Sequence, residues 1–319
     1  MLMLSLCTLR VVAFRFYETA NSRRVKVMKR STMQVCTAVL FVALASALAG
    51  CGGSKTPTAT PTTAVKDAAL AAQVSTELRG RTLTVGTDAA LPPSEFLDPG
   101  SKEFVGSDID LMNAIASVLD LRIAYKNVPF ATIVQGVQKG AFDLGISSIY
   151  DTQAREESVD FATYFQAGGG IYVKTGTELS TTSQLCGKTV EVLAGTVYVD
   201  TLKTLTANCR EGDDITIRQV PRQADATNDV LSGKAFASLI DEPVARWIVK
   251  QSGAKLAVVG PALGVKPYGI AVAKDSGLAE PLTAAINALI KQGTYGAILQ
   301  KWGLSSDAIK ESVVNGAIE

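Results

Sequence analysis

The chain has 319 residues, of which 47% are hydrophobic, and its formal net charge is only +1. This length and apolar content suffice for two hydrophobic cores, and the near-neutral charge argues against a nucleic-acid partner. Histidine is absent, which excludes Ser-His-Asp and Cys-His nucleophile systems and zinc sites built on imidazole. These exclusions favour a binding protein over an enzyme, and we expect no metal and no cofactor.

The N-terminal part has the features of an export signal. We expect residues 1–27 to be an upstream extension, with Met28 as the start. A basic pair follows Met28, and then an apolar run reaches the small residues before Cys51. A basic start, a short apolar segment and a small-residue cleavage site describe a secretory signal, and this run is too short to span a bilayer comfortably.

The end of that signal, Leu48-Ala49-Gly50-Cys51, resembles the lipobox of bacterial lipoproteins. The resemblance implies a lipoprotein signal peptide over 28–50 and an acylated Cys51. The alternative is an ordinary cleaved signal with an incidental cysteine. The following stretch is rich in Thr, Pro, Ala and Lys, so we interpret 51–78 as the lipidated cysteine and a flexible tether.

Two cysteines remain after the signal region, Cys186 and Cys209. An even number outside the cytoplasm favours one disulfide, and two unpaired buried thiols are the alternative.

From residue 81 onward, strand and helix patterns alternate. Apolar residues at helical spacing predict a helix over 109–119, with Asp108 placed to cap its start. The predicted order is strand 82–86, helix 109–119, strand 122–126, helix 131–138, strand 142–147 and a helix opening at 152–157. Repeated β-α-β units predict a mostly parallel sheet with helices on both faces.

The pattern changes at the glycines 168–170, which we interpret as a flexible hinge before an extended segment at 171–174. A second set follows: strand 189–193, helix 198–207, strand 215–220, helix 224–233, strand 237–240 and helix 244–251, and the chain returns with strand 269–273 and helices 278–291 and 294–302. We therefore predict an α/β fold of two lobes, 81–168 plus 265–319 and 169–264, joined by two hinge crossovers with a ligand cleft between them.

Several short motifs follow one another between residues 81 and 304. They are Gly106-Ser107-Asp108-Ile109-Asp110, Val128-Pro129-Phe130, Ser147-Ser148-Ile149-Tyr150, Leu193-Ala194-Gly195-Thr196, Asp241-Glu242-Pro243 and Lys301-Trp302-Gly303. Together they resemble the polar-amino-acid solute-binding proteins of ABC transporters, family 3, over 81–304. The resemblance implies a periplasmic-binding-protein type II fold. It also implies a monomeric, extracytoplasmic, membrane-anchored lipoprotein that binds a free amino acid and presents it to permease subunits of an ABC importer.

The same resemblance assigns the two ends of the amino acid to opposite lobes. Arg155 matches the arginine that grips the carboxylate through its planar guanidinium; the alternative is a solvated surface residue. Asp241 matches the aspartate that accepts from the ammonium, and its alternative is a helix N-cap. The implied ligand-binding residues are Asp88, Phe130, Ser147, Ser148, Tyr150, Arg155, Thr196, Val197 and Asp241.

The side-chain pocket is less determined by the sequence. Asp88 is either an acceptor for the ligand's side chain or a solvated loop aspartate, and Phe130 is either a pocket wall or a core aromatic. Leu91 stands near the place where many relatives carry an aromatic residue, and Tyr150 and Asp151 occupy positions that are often small or aliphatic. The identity of the amino acid therefore stays open.

Two other functions remain as alternatives. A sensor that reports amino-acid occupancy to a membrane partner would have the same sequence features. A cyclohexadienyl dehydratase-like enzyme on the same fold would need a positioned acid or base, for which Asp88 or Asp151 are the candidates.

Overall fold

The computed structural model describes residues 64–318. The predicted extension, the signal peptide and Cys51 lie outside these residues. No helix within 64–318 is long and apolar enough to cross a membrane.

The described chain alternates strands and helices as its sequence pattern predicts. The strands are β1 (Thr82–Thr87), β2 (Ala90–Leu91), β3 (Glu95–Leu97), β4 (Phe104–Val105), β5 (Arg122–Asn127), β6 (Leu144–Gly145), β7 (Val159–Lys174), β8 (Thr189–Leu193), β9 (Thr216–Val220), β10 (Ala237–Asp241) and β11 (Leu256–Ala273). The helices are α1 (Ala68–Ala71), α2 (Thr76–Gly80), α3 (Ser107–Leu119), α4 (Ile133–Gln138), α5 (Gln153–Glu156), α6 (Tyr198–Thr206), α7 (Gln223–Ser232), α8 (Glu242–Gln251), α9 (Ala279–Gln292) and α10 (Thr294–Trp302), with short 3-10 turns at Phe130–Thr132, Thr182–Leu185 and Ser305–Asp307.

Within 64–318 the strands form one eight-stranded sheet in the order β5-β1-β6-β11-β7-β10-β8-β9 and a three-stranded sheet β2-β3-β4. The α/β class is therefore confirmed. The prediction of a mostly parallel sheet is only partly right, because parallel pairs lie at the two ends and the central β11 and β7 run antiparallel to each other and to their outer neighbours.

The two crossovers of the predicted fold are the long strands β7, with 16 residues, and β11, with 18 residues. The sequence pattern predicted extended structure only over 171–174 of β7 and 269–273 of β11. The first part of β7 pairs with the second part of β11, and its second part pairs with the first part of β11 and with β10. The glycines 168–170 lie within β7 rather than at a break between elements. Gly169 and Gly170 pair with β10, and Gly168 falls at an irregularity in the pairing with β11.

Helix α3 shows why apolar residues at helical spacing predict a helix correctly. Ile109, Met112, Ile115 and Leu119 recur on one face, and all are almost fully buried. Each such side chain contributes about 1.5–3 kcal/mol when removed from water. The predicted cap was wrong: Gly106 precedes the helix, and no side chain caps its first turn.

The last part of the predicted tether contains folded helices. Asp67 and Ser75 accept backbone N–H bonds at the starts of α1 and α2. Ala71 and Val74 are each 1% exposed, and the Asp67 N–H donates to Val118 O. The chain is thus held against α3 from about Asp67 onward, because this stretch supplies both caps and apolar side chains.

The predicted disulfide is confirmed. Cys186 and Cys209 are bonded, with their Cα atoms 5.7 Å apart. The bond joins the turn before β8 to the residues after α6.

Candidate functional site

The predicted site residues follow the carboxyl ends of parallel strands. Asp88 comes after β1, Ser147 after β6, Thr196 after β8, and Asp241 ends β10. Crevices at the carboxyl ends of parallel strands are where open α/β sheets bind ligands.

Arg155 lies between segments that are far apart in sequence. Its guanidinium donates to the Tyr150 carbonyl oxygen at 2.8 Å and to the Gly195 carbonyl oxygen at 3.0 Å, and it lies 5.9 Å from the centre of the Phe130 ring. Burial lowers the pKa of Arg155, and the nearby charge of Asp241 raises it; arginine stays cationic under such shifts. Three expected site segments therefore converge on one cation.

Gly195 allows this convergence. Its φ is +83°, and a Cβ there would lie 2.7 Å from the Ala131 Cα. The loop after β8 can therefore approach the turn after β5 only with glycine at this position.

Asp241 is 5% exposed. It precedes α8 but makes no side-chain capping bond; instead its Oδ1 accepts the Tyr198 hydroxyl at 2.8 Å. Burial raises the pKa of Asp241 to about 6, and the hydroxyl bond from Tyr198 opposes this rise. The carboxyl group is thus available as an acceptor inside the protein rather than committed to the helix.

A tyrosine network links Asp241 to the Arg155 side of the site. The Tyr150 hydroxyl lies 3.0 Å from the Tyr198 hydroxyl and donates to Ala167 O at 2.9 Å. The Tyr268 ring packs edge-on against Tyr150, with centroids 4.9 Å apart. Neither Tyr198 nor Tyr268 was predicted as a site residue, although Tyr198 lies two residues after the motif that ends at Thr196.

Asp88, Phe130 and Ser147 also lie together. The Phe130 N–H donates to Asp88 Oδ2 at 3.1 Å, and the Asp88 N–H donates to Ser147 Oγ at 3.0 Å. Burial raises the pKa of the half-buried Asp88, and the Phe130 N–H lowers it. Leu91 is 1% exposed and belongs to the same apolar cluster as Phe130.

The remaining expected residues differ in how they are engaged. Ser148 has φ +48°, and its buried Oγ has no partner among the described residues. Thr196 donates to the Leu193 carbonyl oxygen through both its N–H and its Oγ1, at 3.3 and 2.8 Å. Val197 stands at the N-cap position of α6. The Ser148 hydroxyl is thus free to hydrogen-bond a ligand, whereas both donors of Thr196 are used within its own turn.

Asp151 is fully buried beneath the C-terminal segment rather than at a pocket wall. Its Oδ2 accepts the Gly316 N–H at 2.7 Å, and Glu156 Oε1 accepts the Ala317 N–H at 3.1 Å. Burial and then the neighbouring Glu156 raise the pKa of Asp151 to about 7. Nothing in the local sequence indicates this contact, which joins residues 165 positions apart.

A cavity of about 360 Å³ opens beside the tyrosines. It is lined by Tyr150, Val197 and Tyr198 together with Leu263 and Lys266 of β11. Its volume falls within the range of small-molecule sites.

Comparison with known proteins places this arrangement in a family. The family described as bacterial extracellular solute-binding proteins, family 3, matches residues 83–305. The arginine-binding protein ArgT of Corynebacterium glutamicum is 32% identical over 237 residues, which cover 73% of this chain and 78% of that protein.

Two solved structures have the same fold. An ancestral arginine-binding protein bound to glutamine matches with a TM-score of 0.65 and 35% identity, over 70% of this chain and 98% of that one. The ancestral amino-acid-binding protein AncCDT-1, a precursor of cyclohexadienyl dehydratase, matches with a TM-score of 0.62 and 31% identity, over 69% of this chain and 95% of that one.

Proposed function

We propose that this chain, which belongs to the bacterial extracellular solute-binding proteins of family 3, captures a free amino acid for an ABC importer. The observation that carries the proposal is the linked pair Arg155 and Asp241. A cationic fork and a buried carboxyl group lie in different segments and are connected through two tyrosines. Arg155 donates to the Tyr150 carbonyl oxygen, the Tyr150 hydroxyl lies beside that of Tyr198, and the Tyr198 hydroxyl donates to Asp241. This is the pair of groups that a zwitterion requires.

The α-carboxylate binds Arg155. A guanidinium has five N–H donors, and Arg155 uses two in the bonds to Tyr150 and Gly195. The others are available for a two-bond contact with a carboxylate. Backbone N–H groups of Tyr150, Thr196 and Val197 assist, and for Thr196 this requires the weak 3.3 Å turn bond to be exchanged.

The α-ammonium binds Asp241, and the unpartnered Ser148 Oγ supplies a second acceptor. The lobes are 81–168 plus 265–319 and 169–264, with β7 and β11 as the crossovers. Arg155 and Asp241 then belong to different lobes, so one bound amino acid stabilises the closed form.

For the side chain, the first candidate is arginine and the second is glutamine. Asp88 is a half-buried carboxyl group with one oxygen beyond its bond to Phe130, which suits a side chain rich in N–H donors. ArgT is an arginine-binding protein, and the ancestral arginine-binding protein was solved with glutamine. The buried Leu91 offers an aliphatic contact where an aromatic ring is common, which favours the smaller amide as the alternative.

Outside the site, we propose a lipid-anchored monomer that delivers its ligand to permease subunits. The Leu-Ala-Gly-Cys sequence before Gly52 supports acylation of Cys51. We propose no enzymatic activity. The dehydratase alternative has one specific support, the similarity to AncCDT-1, and would require a general acid or base such as Asp88. An amino-acid sensor is the remaining alternative.

The deciding experiment begins with ligand identification. Purified protein is denatured, and the small molecules that it releases are identified by mass spectrometry. The protein is then refolded without ligand, and calorimetry measures how it binds the common amino acids. Arginine or glutamine with micromolar or tighter affinity supports the proposal. Absence of binding to every amino acid would refute it, and formation of product from a cyclohexadienyl acid would favour the enzyme.

A further inference from the structure

Two buried carboxyl groups lie directly behind the serines of the proposed site. Glu95, on β3, is inaccessible to solvent, and Asp108, in the first turn of α3, is 3% exposed. The elements approach closely at Gly106, where a Cβ would lie 2.0 Å from the Ser94 carbonyl oxygen. The glycine therefore allows β3 and α3 to bring the two acids together.

Each acid holds one of the adjacent serines. Ser147 Oγ donates to Glu95 Oε1 at 2.9 Å. The Ser148 N–H donates to Asp108 Oδ2 at 2.9 Å, and the Tyr164 hydroxyl donates to the same oxygen. The serines at the end of β6 are thus tied to both carboxyl groups.

The surroundings of the two acids favour one proton between them. Glu95 Oε2 is buried without a donor among the described residues. The two acids are held close through neighbouring residues, since they bond the adjacent Ser147 and Ser148 and the Asp108 N–H donates to the Ser94 carbonyl oxygen, next to Glu95, at 2.9 Å. No ion pair in the described part of the chain involves either acid. Two bare anions here would be both desolvated and mutually repelled. One proton on Glu95, donated to Asp108, removes a charge and completes the bonding.

The electrostatic surroundings agree with this assignment. Burial raises the pKa of Glu95 well above its usual range, and the charges of Asp108 and Asp88 raise it further. Burial also raises the pKa of Asp108, but the bonds from the Tyr164 hydroxyl and the Ser148 N–H lower it. The proton therefore belongs on Glu95 and the charge on Asp108.

We propose that Glu95 and Asp108 form one carboxylic acid–carboxylate pair that shares a single proton and fixes Ser147 and Ser148 in their ligand-binding geometry. The positioning part rests on the proposed function. Ser148 needs such support because its φ of +48° lies in a region that L residues rarely adopt. Glu95 and Asp108 are positioning residues that act through the serines.

The variant Glu95→Gln keeps the size and shape of the side chain but replaces its carboxyl group by an amide. Its amide can donate to Asp108 and accept from Ser147, so we expect amino-acid affinity within about twofold of wild type. Glu95→Leu removes both bonds, and we expect affinity to fall at least about tenfold. An unchanged affinity in the leucine variant, or an equal loss in both variants, would overturn the positioning role.

The shared proton has its own readout. Infrared spectra at about pH 9 should contain the C=O band of a neutral carboxylic acid in wild type and lack it in Glu95→Gln, because Asp151 and Asp241, with pKa values raised to about 7 and about 6, are ionised at this pH. A band that persists in the variant, or that is absent from wild type, would overturn the shared proton. This comparison holds even if the leucine variant does not fold.

Amide hydrogen exchange at Ser148 tests positioning without ligand. We expect slow exchange in wild type and in the glutamine variant, and faster exchange in the leucine variant; equal exchange in all three would contradict the proposal. A wild-type protein with the acid band and a protected Ser148 amide, but without affinity for any amino acid, would refute the proposed function and leave the pair standing.

Discussion

The Tyr198 hydroxyl donates to Asp241 Oδ1 at 2.8 Å, and the same hydroxyl lies 3.0 Å from that of Tyr150, which bonds Ala167 O. The Tyr268 hydroxyl belongs to the same group of contacts around Asp241 and Tyr150. These hydroxyl bonds stabilise the charged form of Asp241 and oppose the effect of burial on its pKa. An incoming ammonium group would donate to the ionised carboxyl group and stabilise its charge further.

Ligand affinity should therefore depend on pH. The pKa of Asp241 in the ligand-free protein is raised to about 6 by burial, and ammonium binding requires the ionised form. Affinity is then constant above the pKa and falls as the pH drops below it, by up to about tenfold per pH unit. Calorimetry at about pH 5 and about pH 8, in buffers of different ionisation enthalpy, should also detect proton release near pH 6. Equal affinity at both pH values would contradict this account.

Tyr198→Phe should weaken binding and move its pH dependence upward. Without the hydroxyl donor, the charge of Asp241 is less stabilised, so its pKa rises further. We expect a loss of about 0.5–1.5 kcal/mol in binding free energy near neutral pH. Tyr172→Phe is the matched control, because its buried hydroxyl bonds Thr227 and Gln223 instead. Similar binding losses in both variants would point to a general effect of removing buried hydroxyls.

Arg155→Lys should reduce affinity by about 1–3 kcal/mol, since lysine keeps the charge but loses the planar fork. Titration calorimetry measures the loss, and circular dichroism checks the fold. Arg246→Lys is the control: Arg246 is exposed and pairs with Glu242 within α8. Unchanged affinity in Arg155→Lys would remove this residue from the ligand site.

Replacing both Cys186 and Cys209 by serine should destabilise the protein without removing the ligand site. The bond closes a loop of 23 residues in sequence separation, which corresponds to about 3 kcal/mol of unfolding free energy. Denaturant unfolding measures this change. Loss of ligand binding under conditions where the variant is folded would show that the bond also shapes the site.

Asn315→Ala should destabilise the C-terminal segment. Asn315 Oδ1 accepts the Phe161 N–H at 2.8 Å, and its Nδ2 donates to Asp160 Oδ1 at 3.0 Å. We expect the unfolding free energy to fall by about 1–3 kcal/mol. Because the Asn315 φ is +52°, Asn315→Gly is the control that removes the side chain without backbone strain. If glycine restores full stability, the backbone conformation matters and the two side-chain bonds do not.

The sequence predicted what depends on local pattern. The apolar period of α3 and the β-branched run of β1 specify their elements directly. The order of family motifs predicted the fold, and the ligand-binding role of the residues around Arg155 stays a prediction. These features can be read from neighbouring positions because helix and strand periods are short.

The tertiary structure decided what depends on distant partners. Only the pairing of β7 with β11 shows that the crossovers are long strands. Only the contact between the first turn of α3 and the segment after β6 turns Asp108 from an expected cap into the acceptor for Ser148. Tyr198, too, has no local mark of a partner of Asp241, 43 positions away. A sequence of this kind defines each element and its exposed or buried face, but side chains that meet across the fold acquire their bonds and their proton affinities from neighbours that the chain supplies elsewhere. This is why Arg155 and Asp241 could be expected as site residues from the sequence, while the hydroxyl contacts of Tyr150 and Tyr198 between them could not.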